Sequence, residues 1–299
     1  MTEVETLSPW WRRSAIVMIV ACFCVLGWLT KLTYSGAPPI PDRVVGPDGA
    51  VLFTDRDITA GQQVFLRYGL MENGTLWGHG AYIGPDFSAD YLHTLALEVE
   101  ETVAERHGFV MQAALRPSQR LIVNAEVARL LKQNRYDPAS KTLTFTEAEA
   151  ASFQRQIGLW TKYFEDPEKN GGLPHNYIGD SAQLRELTSF FAWAAWASVT
   201  DRPGLNYSYT NNFPYDPAVG NVPTSGAVLW SALSLITLLG ATALVLFAFG
   251  RFDFLGWRRR RGHVHPKMLP GVATPSQRAT IKYFTVVALL FLAQALVGG

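Results

Sequence analysis

The sequence predicts a mainly α-helical chain tied to a membrane by apolar helices, with a larger helical domain between the first and second of them. Three observations carry this. Uncharged apolar runs occupy residues 14–30 and 226–249, and a third begins near 281. The region between the first two repeats apolar residues at helical spacing. Charged residues make up 17% of the chain, below the roughly 25% of soluble domains, while aromatics reach 12%. The 299 residues are enough for one or two domains with a core. A net charge of +1 gives no reason to expect nucleic acid as a partner. The two cysteines, Cys22 and Cys24, sit at i,i+2 in an apolar run and so point to different sides of a helix. They read as small apolar residues rather than a disulfide or metal site.

Taken in order, residues 1–13 precede the first membrane element, residues 14–34. Its apolar run, Ser14 to Thr30, is about 17 residues, the lower end of what spans a bilayer. Trp10, Trp11 and Trp28 supply interfacial anchors, and Arg12 and Arg13 flank the N-terminal side. The rival reading is a cleaved signal peptide, since Ser35-Gly36-Ala37 offers small residues. Cleavage after Ala37 would leave Pro38 at the new N-terminus, a poor peptidase substrate, so an uncleaved anchor is expected.

Ala37-Pro38-Pro39-Ile40-Pro41 is a stiff, extended exit. Gly46-Pro47-Asp48-Gly49 between Val44-Val45 and Ala50 to Phe53 signals a hairpin. Helices are expected over Thr59 to Arg67, over Ser88 to His107 with Leu92, Leu95, Val99 and Val103 inward, and over Gln119 to Asn134 with Leu121, Ala125, Ala128 and Leu131 inward. After Tyr136-Asp137-Pro138 comes a short strand, Thr142 to Phe145. Thr146-x-x-Glu149 is a capping box that opens a helix to about Phe164, with Ala150, Phe153, Ile157 and Trp160 inward. Asp166 to Tyr177 is loop. Asp180 or Ser181 caps the next helix, through Ser198. Its second half, Phe190 to Trp196, is apolar nearly all round and too short to span. It is expected to lie on the bilayer or against membrane helices.

Gly226 to Phe249, within residues 223–250, is a second spanning helix of about 24 residues. Residues 251–280 carry Arg251, the run Arg258 to Arg261, Lys267 and Arg278, against Asp253. By the positive-inside rule this loop and the N-terminus are cytoplasmic, and residues 35–222 lie outside. Residues 281–299 open a third membrane helix. It stops at Gly299 part-way across, which predicts that the sequence is a portion of a longer polypeptide.

The most specific stretch is Gly61 to Asp90. Gly61-Gln62-Gln63-Val64-Phe65 leads to Thr75-Leu76-Trp77-Gly78-His79-Gly80-Ala81-Tyr82-Ile83-Gly84-Pro85. This resembles the cytochrome-c-type subunit of bacterial nitric oxide reductases, where Gly-x-x-x-Phe/Trp precedes Cys-x-x-Cys-His and then Thr-Leu-x-Gly-x-Gly-Ala-Tyr-x-x-Pro. The thioether cysteines would fall at Leu70 and Asn73, and the proximal histidine at Gly74, so the attachment motif is missing. A cytochrome-c-like domain without haem c marks the quinol-dependent nitric oxide reductases. The loop Pro203 to Pro217 and the run Lys282 to Gly298 are similar to that family as well.

The resemblance implies a bacterial inner-membrane, multi-pass enzyme that takes electrons from membrane quinol and reduces two NO to N2O and water. Haem b, haem b3 and non-haem iron would be held by residues past Gly299, so no catalytic residue is assigned in this chain. The large domain would be periplasmic and would cap the remainder of the catalytic bundle, at the start of an oxidase-like set of transmembrane helices. The family's Gly-x-Tyr contact to calcium maps onto Gly80 and Tyr82. Trp193, Trp196, Tyr207 and Tyr209 are candidates for the approach of quinol, with interfacial anchoring in the lipid bilayer as the plainer role. A homodimer is allowed. His79 and the pair His263 and His265 are read as structural or lipid-facing rather than as metal ligands. The competing class is a two-helix sensor or scaffold with a periplasmic ligand-binding domain.

Overall fold

A computed structural model describes residues 9–109, 115–251 and 275–298 of the chain. The chain is mainly helical and divides into two units, residues 1–223 and 224–299.

The first unit opens with α1 (Pro9–Ser35). Its stretch Ile16–Ser35 is long and apolar enough to cross a membrane. The helix runs beyond Thr30 because nothing from Lys31 to Ser35 breaks it. Thr33 and Ser35 turn their hydroxyls back onto Leu29 and Leu32 carbonyls.

Strands β1 (Arg43–Val45) and β2 (Val51–Thr54) form the expected hairpin. β1 also pairs in parallel with β6 (Thr142–Thr144), which in turn pairs with β5 (Tyr136–Asp137). The sheet order is β2-β1-β6-β5.

Helix α2 (Asp55–Arg67) starts four residues before the Thr59 expected from apolar spacing. Thr54 caps it: its hydroxyl accepts from Asp57 N–H, and the Asp57 carboxylate accepts from Thr54 N–H at 2.7 Å. Aspartate here fills the place usual for Glu or Gln. A 3₁₀ turn, Leu70–Glu72, and the two-residue strands β3 (Thr75–Leu76) and β4 (His79–Gly80) shape the glycine-rich loop.

Helix α3 (Phe87–Arg106) buries the expected Leu92, Leu95, Val99 and Val103. In α4 (Pro117–Lys132) the expected stripe is corrected. Leu121 is 72% exposed, and the buried residues are Val123, Val127 and Leu131. An i,i+4,i+8 row of β-branched and leucine side chains wins over one padded with alanines. Helix α5 (Glu147–Glu165) opens on the predicted Thr146–Glu149 capping box.

Helix α6 (Ser181–Val199) holds the unit together, and here the membrane-surface expectation is corrected. Every residue from Leu187 to Val199 is buried. The helix packs against α2, α3 and α5 of the same unit. Its all-round apolarity reflects neighbours on every side, the signature of a central core helix. At the crossing with α2, a Cβ on Gly61 would stand 2.1 Å from Glu186 O and 2.9 Å from Phe190 Cβ, so only glycine admits the contact.

In the second unit, α7 (Ser225–Arg251) holds a stretch, Ser225–Ala248, long and apolar enough to cross a membrane. Helix α8 (Pro275–Gly298) carries a shorter apolar stretch, Thr280–Leu292. Arg258 to Arg261, His263 and His265 lie outside the described residues.

Candidate functional site

The glycine-rich loop between α2 and α3 is organised by one carboxylate. Asp86 caps α3 through Ala89 N–H at 2.8 Å and accepts from Ser88 Oγ with the same oxygen. Its other oxygen accepts from Thr75 Oγ1 at 2.7 Å and Gly78 N–H at 2.6 Å. Four donors on one carboxylate fix strand β3, the turn after it and the loop's exit into the helix.

Trp77, at φ +53°, is aimed inward by this arrangement. Its indole N–H donates to Ala194 O of α6 at 3.0 Å, and its ring lies 5.5 Å from that of Trp193. Trp193 donates to Pro39 O at 2.9 Å. The loop, the core helix and the chain leaving α1 are thus joined by two indole hydrogen bonds.

The three positions of the missing attachment motif are built into the core. Leu70 is fully buried. The Asn73 side-chain amide donates to Asn170 O and Gly171 O, each at 3.2 Å. Its main-chain carbonyl accepts from Ile83 N–H and Gly84 N–H. A Cβ on Gly74 would meet Pro85 O at 2.3 Å and the Phe87 ring at 2.8 Å. Phe87 stacks on Phe191 at 5.0 Å and contacts Phe65 and Trp160. These residues do not fit a covalently bound haem: two thioether positions hold a leucine and an engaged amide, and the histidine position has no room for a side chain.

Gly80 lies at φ +140°, and a Cβ there would come within 2.3 Å of Gly74 O. Tyr82 is 87% exposed. A backbone carbonyl and one phenol fall short of the six to eight oxygens that calcium takes. Among the described residues no group of three or more His, Cys, Asp or Glu side chains could hold a metal. The two residues therefore do not make a calcium site on their own.

The four aromatics expected near quinol separate into two environments. Trp193 and Trp196 are buried inside the unit, and the Trp196 indole N–H has no hydrogen-bond partner among the described residues. Tyr207 and Tyr209 are half-buried and flank Arg202, whose guanidinium sits 5.6 and 5.7 Å from their rings and donates to Ser208 O and Tyr209 O. Tyr209 also contacts Trp196 at 5.6 Å, and burial raises its phenol pKa above the ordinary value. Sequence reasoning passed over Arg202. Its place between aromatic residues and before Pro203 was the available signal.

The isolated histidines have local partners. His93 Nδ1 lies 3.6 Å from Asp216, His107 Nε2 2.7 Å from Glu126, and His175 Nδ1 2.5 Å from Glu165 O. A cleft of about 310 Å³ between α3 and α5 is lined by Asp90, Trp160, Lys162 and Tyr163 among others. Burial raises the Asp90 pKa against the pull of His93, and burial with the Asp90 charge pushes Tyr163 up to about 12.

The family model for the cytochrome c-like domain of the nitric oxide reductase protein NorB matches residues 41–215. No curated protein matches the chain.

Proposed function

Because the chain belongs to the NorB family of nitric oxide reductases through its cytochrome c-like domain, we propose that it forms the anchored outer part of a quinol-fed nitric oxide reductase that carries no haem c. The reaction is 2 NO + 2 e⁻ + 2 H⁺ → N2O + H2O. Electrons come from quinol in the membrane, and the haem b, haem b3 and non-haem iron that handle them belong to the remainder of the enzyme. The role of residues 41–215 is mechanical. They form a packed cap, with α1 and α7 as membrane anchors in the bacterial inner membrane and the cap on the periplasmic side.

The observation that supports this reading is the closed loop at Leu70, Asn73 and Gly74. A domain that relays electrons by haem c needs ligands at these positions; here they are spent on packing. Of the four aromatic candidates, Tyr207 and Tyr209 retain exposed surface that could meet a quinol headgroup, whereas Trp193 and Trp196 are enclosed.

The test is made on the native enzyme purified from its own membranes. A pyridine-haemochrome spectrum should show haem b and no haem c, and NO consumption should proceed with a reduced quinol analogue but not with reduced cytochrome c. A haem c band, or turnover supported by cytochrome c alone, would sink the proposal.

A further inference from the structure

Lys132 is the last residue of α4, and its ammonium is enclosed by the segment that follows α6. Nζ donates to Val199 O at 3.3 Å, Asn212 Oδ1 at 3.2 Å and Asn221 Oδ1 at 3.0 Å. An ammonium has three N–H groups, and here each has an acceptor. Asp201 Oδ1, buried and without a hydrogen bond among the described residues, lies 3.7 Å away and supplies the counter-charge. The lysine side chain is 17% exposed.

The two amides are set in place by bonds of their own. Asn212 Nδ2 donates to Val222 O at 3.0 Å, and its Oδ1 also accepts from Ser208 N–H. Asn221 Nδ2 donates to Ser198 O at 3.0 Å. Both carbonyl oxygens therefore face inward. The lysine stem packs on Gly220, where a Cβ would come within 3.0 Å of Lys132 Cε. Burial lowers the lysine pKa while Asp201 opposes that shift, so the enclosed oxygens stand in for lost water.

We propose that these four oxygens form a monovalent-cation site whose resident cation is the chain's own Lys132 ammonium, and that this cation closes residues 199–222 into a fixed loop. The oxygens come from positions far apart along the loop and converge on one point. Without a positive charge at that point, Val199 O and Asn221 Oδ1 lose the donor they face, and Asp201 loses its counter-charge. A small ammonium ion entering the vacated space would restore the closure. The site lies apart from the glycine-rich loop and stands independently of the enzymatic reading.

The test uses the full chain in detergent and chymotrypsin, with cleavage after Tyr207 and Tyr209 as the report on loop opening. Lys132→Ala should be cut about tenfold faster than the parent, as for a loop whose local closure is lost. Ethylammonium chloride should return the rate toward the parent's. Tetramethylammonium chloride at equal ionic strength, too bulky and without an N–H, should not. Parental cleavage of Lys132→Ala, or the same response to both salts, overturns the proposal. Asn221→Leu keeps the lysine and removes one acceptor, so it serves where the alanine variant does not fold. It should show faster cleavage that ethylammonium does not correct, and a parental rate there also overturns the proposal.

Discussion

Gly74 stands at a place where the chain leaves no space for any side chain. Its would-be Cβ contacts a main-chain oxygen, Pro85 O, as well as the Phe87 ring, and a main-chain atom cannot swing aside. Gly74→Ala should therefore destabilise the domain by about 1–3 kcal/mol, a fall in melting temperature of about 2–4 °C per kcal/mol at this size. An unchanged thermal melt of the purified chain would mean that the loop is not packed in this way. Part of this was legible in the sequence. Counting back from Thr75 placed Leu70, Asn73 and Gly74 at the vacant motif positions. That they had become core residues was not legible, because it depends on Phe87 and Asn170, which lie on other segments. A helix start near Ser88 was visible, but Asp86 was not read as its cap. Its second set of donors, Thr75 and Gly78, belongs to the loop's fold and leaves no mark in local sequence.

Among the elements, α5 shows how a cap and an ion pair differ in weight. Glu149 completes the capping box with Thr146 and also receives Arg135, which itself donates to Leu130 O and Thr144 O. Glu149 is 4% exposed and Arg135 15%. Thr146→Ala removes one cap hydroxyl and should cost about 1 kcal/mol. Arg135→Ala strands a buried carboxylate and should cost about 3–5 kcal/mol. Chemical denaturation of the two variants checks the order, and equal losses would mean that water reaches Glu149. The capping box was legible because it is a four-residue pattern. Arg135 was not, because its pairing with Glu149 rests on the β5–β6 turn bringing it back. Helix α6 marks the same boundary. Uniform apolarity told that the helix is surrounded, but sequence does not say whether lipid or protein surrounds it. The α4 stripe was misread because two alanines carried as much weight as two valines in the spacing pattern.

For the whole molecule, the candidate spans and the cap make one topological prediction. Ala139 is exposed on the β5–β6 turn. In a background with Cys22 and Cys24 replaced by alanine, Ala139→Cys should react with a membrane-impermeant maleimide added to cells with a permeabilised outer membrane. Protection there, with labelling only after lysis, would place the domain in the cytoplasm and contradict the proposed orientation. The arrangement of the first unit also bears on how the protein is made. Strand β1 pairs with β6, nearly 100 residues later, and α2, α3 and α5 all rest on α6, the last α-helix of the unit. Until α6 has been made, the apolar faces that those three helices turn toward it stay uncovered, although α3 can already pack on α4 and α5. The closing step of folding therefore comes late in synthesis, when α6 arrives and covers all three faces together.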